Sequence, residues 1–253
     1  MTPPNELWGP VETAPGSTVE RVFGSLTMAI RREVAEVWVH GAHEPSSPAG
    51  THWIRWAVAP DDRLELRPGL PDRPIVVSPE QAFFLPPGGE ARVFVRVPLF
   101  VRLVRVNRDR TETPLESFPS LVLSDTWWGT FTEGEVAYWI PTRARRAVTA
   151  EVFDPHLAIC PFLLVNRSDQ ALPIERFAVR VSHLTLFGKG PAAWTDEVRV
   201  SYQGANVGSE VRYTGVLPKE AGDVQRLADP REPPPRGLHA RTFGRLRSIS
   251  GLS

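Results

Sequence analysis

Four side chains that can bind metal ions lie close together in the N-terminal part of the sequence. His40, His43, Glu44 and His52 occur within thirteen residues. Zinc requires three or four ligands that converge at about 2 Å. The strand pattern argues against convergence, because His40 falls on the polar face of one predicted strand and His52 on the apolar face of the next. We therefore predict no metal site and no cofactor.

A second group of residues could act as a carboxylate pair. Asp125, Glu133 and Glu135 surround a tryptophan-rich segment, and glycosidases hold two carboxyl groups roughly 5–9.5 Å apart beside their substrate. Glu133 and Glu135, however, flank Gly134, and solvated acidic residues are ordinary in turns. We predict no catalytic residue, and a carbohydrate-active hydrolase that uses these acids remains the alternative hypothesis.

Nucleophilic catalysis has less support in the sequence. No G-x-S-x-G motif is present, and Ser182 and His183, adjacent on a predicted strand, would project to opposite sides of the sheet. Cys160 is the only cysteine and lies inside the apolar run LAICPFLLV. We predict that it is a small buried hydrophobic residue without an activating base.

Tryptophan is abundant, with eight residues in 253. Trp38 and Trp53 fall on mixed, partly polar strand faces, and Trp127 and Trp128 lie in the middle of the chain. Exposed tryptophans would form a stacking surface for a glycan or a protein partner. The competing interpretation, which we favour, is that they fill the cleft between two β layers. The hypothetical binding residues are Trp38, Trp53, Trp127, Trp128, Asp125 and Glu133.

The element that must position the central tryptophans is a predicted hairpin within residues 121–146, LVLSDTWWGTFTEGEVAYWIPTRARR. Two β-type runs, 121–128 and 135–140, flank a connector that contains Gly129 and Gly134. Both alternating sets of the second run are apolar. A strand that is apolar on both faces is normally covered on both faces, so we predict that this hairpin is central in the fold.

The remaining pattern is also that of β-strands. No helical stripe of three turns appears between residues 21 and 217, whereas alternating apolar runs recur between turn residues. PPGGE followed by alternating valines and Pro98 recurs in immunoglobulin-like sandwich modules. The apolar phase then slips between Leu103 and Val104, which indicates a bend or bulge. We predict an all-β protein with two immunoglobulin-like β-sandwich layers or subdomains.

The predicted organisation has four parts. They are an irregular N-terminal arm (1–20), an N-terminal β-sandwich subdomain (21–147), a C-terminal β subdomain (148–217) and a Pro-rich linker with a tail (218–253). Phe243, Leu246 and Ile249 are spaced three apart among arginines in the tail, which predicts a short amphipathic helix that docks on a partner. A frayed tail is the alternative.

The charge balance limits the possible partners. Twenty-nine basic and twenty-nine acidic residues give a formal net charge of zero, so no global field attracts nucleic acid or an anionic membrane. Residues 92–110 carry six arginines and one aspartate, typical of a solvated or ion-paired face, with an anionic partner surface as the alternative. No signal peptide pattern and no long uncharged run appear. We expect a cytoplasmic location and no transmembrane segment.

Three strings in the sequence are distinctive: SDTWWG, HLAICP and WTDEV. Together with the surrounding residues from Phe23 to Tyr213, they resemble an uncharacterised prokaryotic family, of archaeal type, catalogued as domain of unknown function number four hundred and thirty-two. The resemblance implies a single unit that spans both β segments, with the N-terminal arm and the Pro-rich tail outside it. It implies no activity.

These observations favour a non-enzymatic β-sandwich protein that binds a protein partner or forms a homo-oligomer. The supporting observations are the all-β pattern, the lack of a catalytic constellation and the surplus of aromatic residues. A lectin-like glycan-binding module and the hydrolase that uses the tryptophan-rich hairpin remain the alternatives.

Overall fold

The computed structural model describes residues 7–43, 52–140, 142–149, 153–190, 192–205, 207–235, 238–240 and 242–244. Within these residues the chain forms β-strands and two short 3-10 turns, and no α-helix. The prediction of an all-β protein is confirmed. The strands are β1 (Gly9–Pro10), β2 (Thr18–Phe23), β3 (Leu26–Arg32), β4 (Glu36–His43), β5 (Ile54–Ala57), β6 (Arg63–Gly69), β7 (Ile75–Val77), β8 (Phe83–Leu85), β9 (Glu90–Pro98), β10 (Phe100–Val106), β11 (Glu112–Pro119), β12 (Ser124–Gly129), β13 (Gly134–Trp139), β14 (Leu157–Asn166), β15 (Leu172–Ile174), β16 (Arg176–Val179), β17 (Leu186–Lys189), β18 (Ala192–Thr195), β19 (Val198–Gly204), β20 (Gly208–Tyr213), β21 (Gln225–Ala228), β22 (Leu238–Ala240) and β23 (Phe243–Gly244).

Two four-stranded sheets share the N-terminal core. One has the order β1-β6-β10-β11 and the other β2-β3-β4-β5. Alternate residues of each strand point into this core, including Met28 and Ile30 from one sheet and Leu66 and Leu103 from the other. The ring of Trp8 lies 4.8 Å from that of Phe23, so the start of the described chain is packed onto this core.

Three further sheets share the larger C-terminal core. A five-stranded sheet has the order β12-β13-β7-β16-β23, and an eight-stranded sheet contains β9, β14 and β17 to β22. A two-stranded sheet joins β8 to β15. Ile75 and Phe177 of the five-stranded sheet and Val95 and Phe162 of the eight-stranded sheet are all buried in this core.

The strand with the most complete cover is β14. On one side it pairs with β9 along most of its length, and on the other it pairs first with β18 and then with β19. Its even-numbered residues from Ala158 to Leu164 enter the C-terminal core, while Ile159 packs with Trp194 on the opposite face. The pairs with β18 and β19 are parallel although no α-helix connects these strands.

Pro98 marks the passage between the two cores. It ends β9 in the eight-stranded sheet, and β10 begins at Phe100 in an N-terminal sheet. The predicted irregularity near Leu103 is confirmed, since the β10–β11 register shifts between Leu103 and Val104. The predicted boundary at residues 147 and 148 does not separate the sheets, because β9 on one side of it pairs with β14 on the other.

The chain termini contribute strands to the sheets. The predicted irregular arm contains β1, which pairs with β6, and the first residues of β2. The predicted linker contains β21, paired with β17, and β22, paired with β20. The chain in these regions is therefore part of the sheets, which the proline-rich composition did not indicate.

Candidate functional site

The tryptophan-rich hairpin forms as predicted from β12 and β13, but its predicted central position is wrong. β12 is the edge strand of the five-stranded sheet, and only β13 continues to β7. Trp127 and Trp139 remain 53% and 50% exposed, and Phe131 at the turn is 98% exposed. The apolar pattern of β13 reflects an exposed aromatic surface at the sheet edge, because no second layer covers both faces of the hairpin.

The turn of the hairpin positions Trp127. Its indole Nε1 donates a hydrogen bond to the carbonyl oxygen of Thr130 at 2.7 Å. The ring lies across Gly134, where a Cβ atom would be 2.5 Å from Nε1. Only glycine allows the ring to lie this close to the backbone. One face of Trp127 is therefore held against the hairpin while the side chain stays half exposed.

Trp128 lies on the opposite face of β12 and is buried. It packs with Val76, Ala137 and Ala178, and the guanidinium of Arg176 lies 5.7 Å from its ring centre. Trp128 is thus a packing residue on the outer face of the five-stranded sheet and does not contribute to an exposed stacking surface.

The acidic residues of the hairpin do not converge. Asp125 is opposite Tyr138, and Glu135 is opposite Trp128, so their side chains project from different faces of the two-stranded ribbon. Asp125 forms an ion pair with Arg73 at 3.0 Å, and Glu135 forms one with Arg180. Glu133 is exposed in the turn.

Tyr138 connects the hairpin to the N-terminal half of the chain. Its ring packs at 6.2 Å from that of Phe100, and its hydroxyl donates a hydrogen bond to Asp72 at 3.0 Å. Burial raises the pKa of Tyr138, and the hydrogen bond to Asp72 acts in the same direction. The phenol is therefore neutral at physiological pH and acts as a donor that anchors β13.

The outer edge of β12 lacks the usual protection of an edge strand. Proteins protect such edges with prolines, charges or bulges. β11, an edge strand of another sheet, carries Pro114, Pro119 and two glutamates. β12 pairs with β13 without a bulge, and its one charged residue, Asp125, is neutralised by Arg73. No other strand pairs with β12 in the described part of the chain.

The surface around Trp38 is a second aromatic region, on the sheet β2-β3-β4-β5. Arg31, Trp38 and Arg55 form one row across three strands. The two guanidinium carbons lie 5.2 Å and 4.1 Å from the Trp38 ring centre. Trp53 lies 6.5 Å from Trp38. The Trp38 ring therefore already carries two cation–π partners, which leaves less of its surface for stacking on a glycan.

The predicted metal-ligating residues form other contacts. The ring Nδ1 of His40 lies 3.0 Å from the carbonyl oxygen of His52. His43 Nδ1 lies 2.9 Å from the hydroxyl of Ser25. Among the residues that the structure describes, no group of three or more potential ligands could hold a metal ion. Glu44 lies outside the described residues.

The sequence model of a family described as "Protein of unknown function (DUF432)" matches residues 7–247. The chain belongs to the DUF432 family. No curated protein and no solved structure matches it. The DUF432 match extends beyond the region from Phe23 to Tyr213 on both sides, so the expectation that the arm and the tail lie outside the family unit is wrong.

The predicted docking helix of the DUF432 protein lies only partly within the described residues. Phe243 is in strand β23, opposite Phe177 of β16, and its ring makes an edge contact with Tyr202 at 5.8 Å. This residue is therefore part of a sheet and not of a helix. Leu246 and Ile249 lie outside the described residues.

Two features of the DUF432 site escaped the sequence reasoning. Phe131 at the turn and Trp139, on the face of the ribbon opposite to Trp127, are exposed but are not among the predicted binding residues. Trp139 is opposite Ser124 across the hairpin. The sequence feature that indicates its exposure is the pairing of a large aromatic residue with a small polar one.

Across the described ranges, no helix has the length and apolarity needed to cross a membrane.

Proposed function

We propose that this DUF432 protein is a non-enzymatic binding protein that self-associates by pairing the β12 edges of two copies. The observation that carries the proposal is an unprotected edge strand with half-exposed tryptophans beside it. Adding a strand to such an edge satisfies backbone hydrogen-bonding groups and buries the neighbouring side chains.

The hydrogen-bonding pattern of the hairpin supports this interpretation. The Thr130 amide donates to the Glu133 carbonyl oxygen at 2.8 Å. Because hydrogen-bonded and non-hydrogen-bonded pairs alternate along an antiparallel ribbon, Trp128 and Thr126 direct their backbone groups toward β13. Asp125 and Trp127 then direct theirs to the free edge.

Charge and symmetry favour a second copy as the partner. A two-fold axis places the same surface on both subunits. An antiparallel β12–β12 pair with its two-fold axis at Thr126 places Asp125 opposite Trp127 of the other copy, so both residues direct their backbone groups into the new pair and no acid is opposite an acid. Asp125 is also neutralised within its own chain by Arg73. Each half-exposed tryptophan at the interface could bury a substantial part of its roughly 150–250 Å².

The proposal is tested by measuring molecular mass in solution by sedimentation velocity over a range of concentrations. Trp127→Lys and Asp125→Lys place a cation at the edge and should weaken dimerisation by about tenfold or more. Val22→Lys is the matched control, since Val22 is exposed on β2, an edge strand of another sheet. A wild-type protein that is monomeric at all concentrations, or dimerisation equally strong in all variants, would refute the proposal.

The immunoglobulin-like arrangement of the sheets and the cytoplasmic location remain predictions. Glycan binding is the second candidate, supported by the half-exposed rings of Trp127 and Trp139. The two rings project from opposite faces of the ribbon, so a lectin-like site uses one of them. A glycan array probed with the wild type, Trp127→Ala and Trp139→Ala tests it, because the signal should be lost in one variant and kept in the other.

A further inference from the structure

A cleft between the N-terminal sheet and the C-terminal segment is lined by arginines. It has a volume of about 580 Å³ and lies between β6, β10 and β11 on one side and residues 227–231 on the other. Arg67, Arg102 and Arg231 line it, with apolar walls from Pro68, Val104, Pro114 and Leu227. The volume is in the range of small-molecule sites, roughly 300–1,000 Å³.

Two of these arginines have no carboxylate partner. Arg67 is neutralised by Glu65 and Glu112, at 2.7 Å and 2.5 Å. Asp229, the other acid of the cleft, pairs with Arg226. Among the described residues, no acid lies within ion-pair distance of Arg102 or Arg231. The lining of the cleft carries three arginines against Glu112 and Asp229, so its net charge is positive, and Arg102 and Arg231 are the cations that lack an ion-pair partner.

Both side chains are held in place by neighbouring groups. Arg231 Nε donates a hydrogen bond to the Leu70 carbonyl oxygen at 2.7 Å, and its guanidinium carbon lies 5.8 Å from the Phe100 ring centre. Arg102 crosses Gly69, where a Cβ atom would be 2.6 Å from Arg102 Cδ. Glycine at position 69 is therefore what allows Arg102 to lie against the strand.

The two guanidinium groups are close enough to repel each other. Burial lowers the pKa of Arg231, and the positive charge of Arg102 lowers it further, while Asp72 acts in the opposite direction. Two like charges brought together without a counter-ion destabilise the folded protein unless an anion binds between them. Arginine is suited to this role because its planar fork matches phosphate oxygens.

We infer that Arg102 and Arg231 form a binding site for a phosphate group, supplied either as inorganic phosphate or as the phosphoryl group of a small metabolite. A phosphate matches the two guanidinium groups that lack an ion-pair partner and the net positive charge of the cleft. The apolar walls and the size of the cleft leave space for an organic moiety beside the phosphate. The inference does not depend on the β12 edge.

The test is calorimetric titration in a phosphate-free, low-salt buffer, with inorganic phosphate in one arm and a sugar phosphate or nucleoside monophosphate in the other. We expect saturable binding with a dissociation constant of about 1 mM or tighter. Arg102→Gln and Arg231→Lys should each weaken it by about tenfold or more. Arg108→Gln, a substitution of an exposed arginine that pairs with Asp61, should leave the affinity unchanged.

Thermal unfolding without added anion separates this role from a structural one. If Arg102 serves an absent anion, Arg102→Gln removes a repulsion, and the unfolding temperature should stay the same or rise. If Arg102 instead stabilises the fold, the temperature should fall. Tighter binding of the organic phosphate would identify a metabolite site, and equal affinities a site for the free ion. Absence of saturable binding in both arms, or equal binding by the wild type and Arg102→Gln, would overturn the inference.

Discussion

The ring of Trp128 lies directly on the backbone of Gly244, where a Cβ atom would be 2.8 Å from Cη2. This contact holds the C-terminal strand β23 against the five-stranded sheet. We predict that Trp128→Ala lowers the free energy of unfolding by about 3–5 kcal/mol, because it creates a cavity and removes the ring that packs on the backbone of β23. Chemical denaturation followed by circular dichroism measures the change.

Trp139→Ala is the control for this prediction. Trp139 lies on the same hairpin but is half exposed, so its truncation removes less buried area and should cost less stability. An equal loss of stability in the two variants would contradict the packing role of Trp128.

Asn166 is buried and uses its whole amide group. Its Nδ2 donates to the carbonyl oxygens of Leu85 and Gln170 at 2.9 Å and 2.7 Å, and its Oδ1 accepts from the amide and hydroxyl of Ser168. We predict that Asn166→Ala lowers the free energy of unfolding by about 2–4 kcal/mol, because it removes all the hydrogen bonds of a buried amide, including the buried one to the Leu85 carbonyl oxygen.

Asn107→Ala is a matched control, since the exposed Asn107 side chain accepts one hydrogen bond from the Thr111 amide. Its loss should cost about 1 kcal/mol. Urea denaturation measures both changes. Equal destabilisation by Asn166→Ala and Asn107→Ala would show that the burial of Asn166 does not increase the cost of removing its side chain.

His43 should make the stability of the protein depend on pH. Burial lowers the pKa of His43, and the hydrogen bond with Ser25 offsets only part of this effect. The unfolded chain, with a histidine pKa of about 6.5, therefore takes up the proton first. The contribution of His43 to stability is present above that pH and is lost as the pH falls through its lower folded-state pKa.

The measurement is the free energy of unfolding between pH 8 and pH 5 for the wild type and His43→Gln. We expect the loss of stability on acidification to be smaller in the variant. His52→Gln, which replaces an exposed histidine, should lose as much stability on acidification as the wild type. The same loss in wild type and His43→Gln would exclude this role for His43.

Cys160 should be unreactive in the native protein. It is fully buried in the C-terminal core, and burial raises the pKa of its thiol. Since the thiolate is the reactive species, a thiol reagent should label it only as fast as the protein unfolds. Val207→Cys, at an exposed position, provides a thiol that should react at once. Rapid labelling of the native wild type would disprove the prediction.

The local pattern of the sequence predicted several elements well. The run LAICPFLLVN corresponds to β14 (Leu157–Asn166), and the phase slip between Leu103 and Val104 corresponds to a register shift. Both signals are local, because side-chain alternation and its interruption depend only on residues that are neighbours in the chain.

The sites were less accessible to sequence reasoning. Arg102 lies in a basic stretch whose pattern is typical of a solvated or ion-paired face, and Arg231 lies in a segment whose composition predicts a linker. The structure brings them together in one cleft although 129 positions separate their numbers. No pattern within either segment indicates that proximity.

Local sequence is sufficient to predict that the chain forms β-strands, because alternation, β-branched residues and proline-rich turns act over a few residues. Which apolar strand is central is a property of the three-dimensional fold. β13 and β14 are both apolar on two faces, yet β14 is covered on both while β13 lies beside the open edge strand β12. Whether a strand is covered depends on which distant segments of the chain pair with it and pack on it. The residues of the strand itself do not specify those segments.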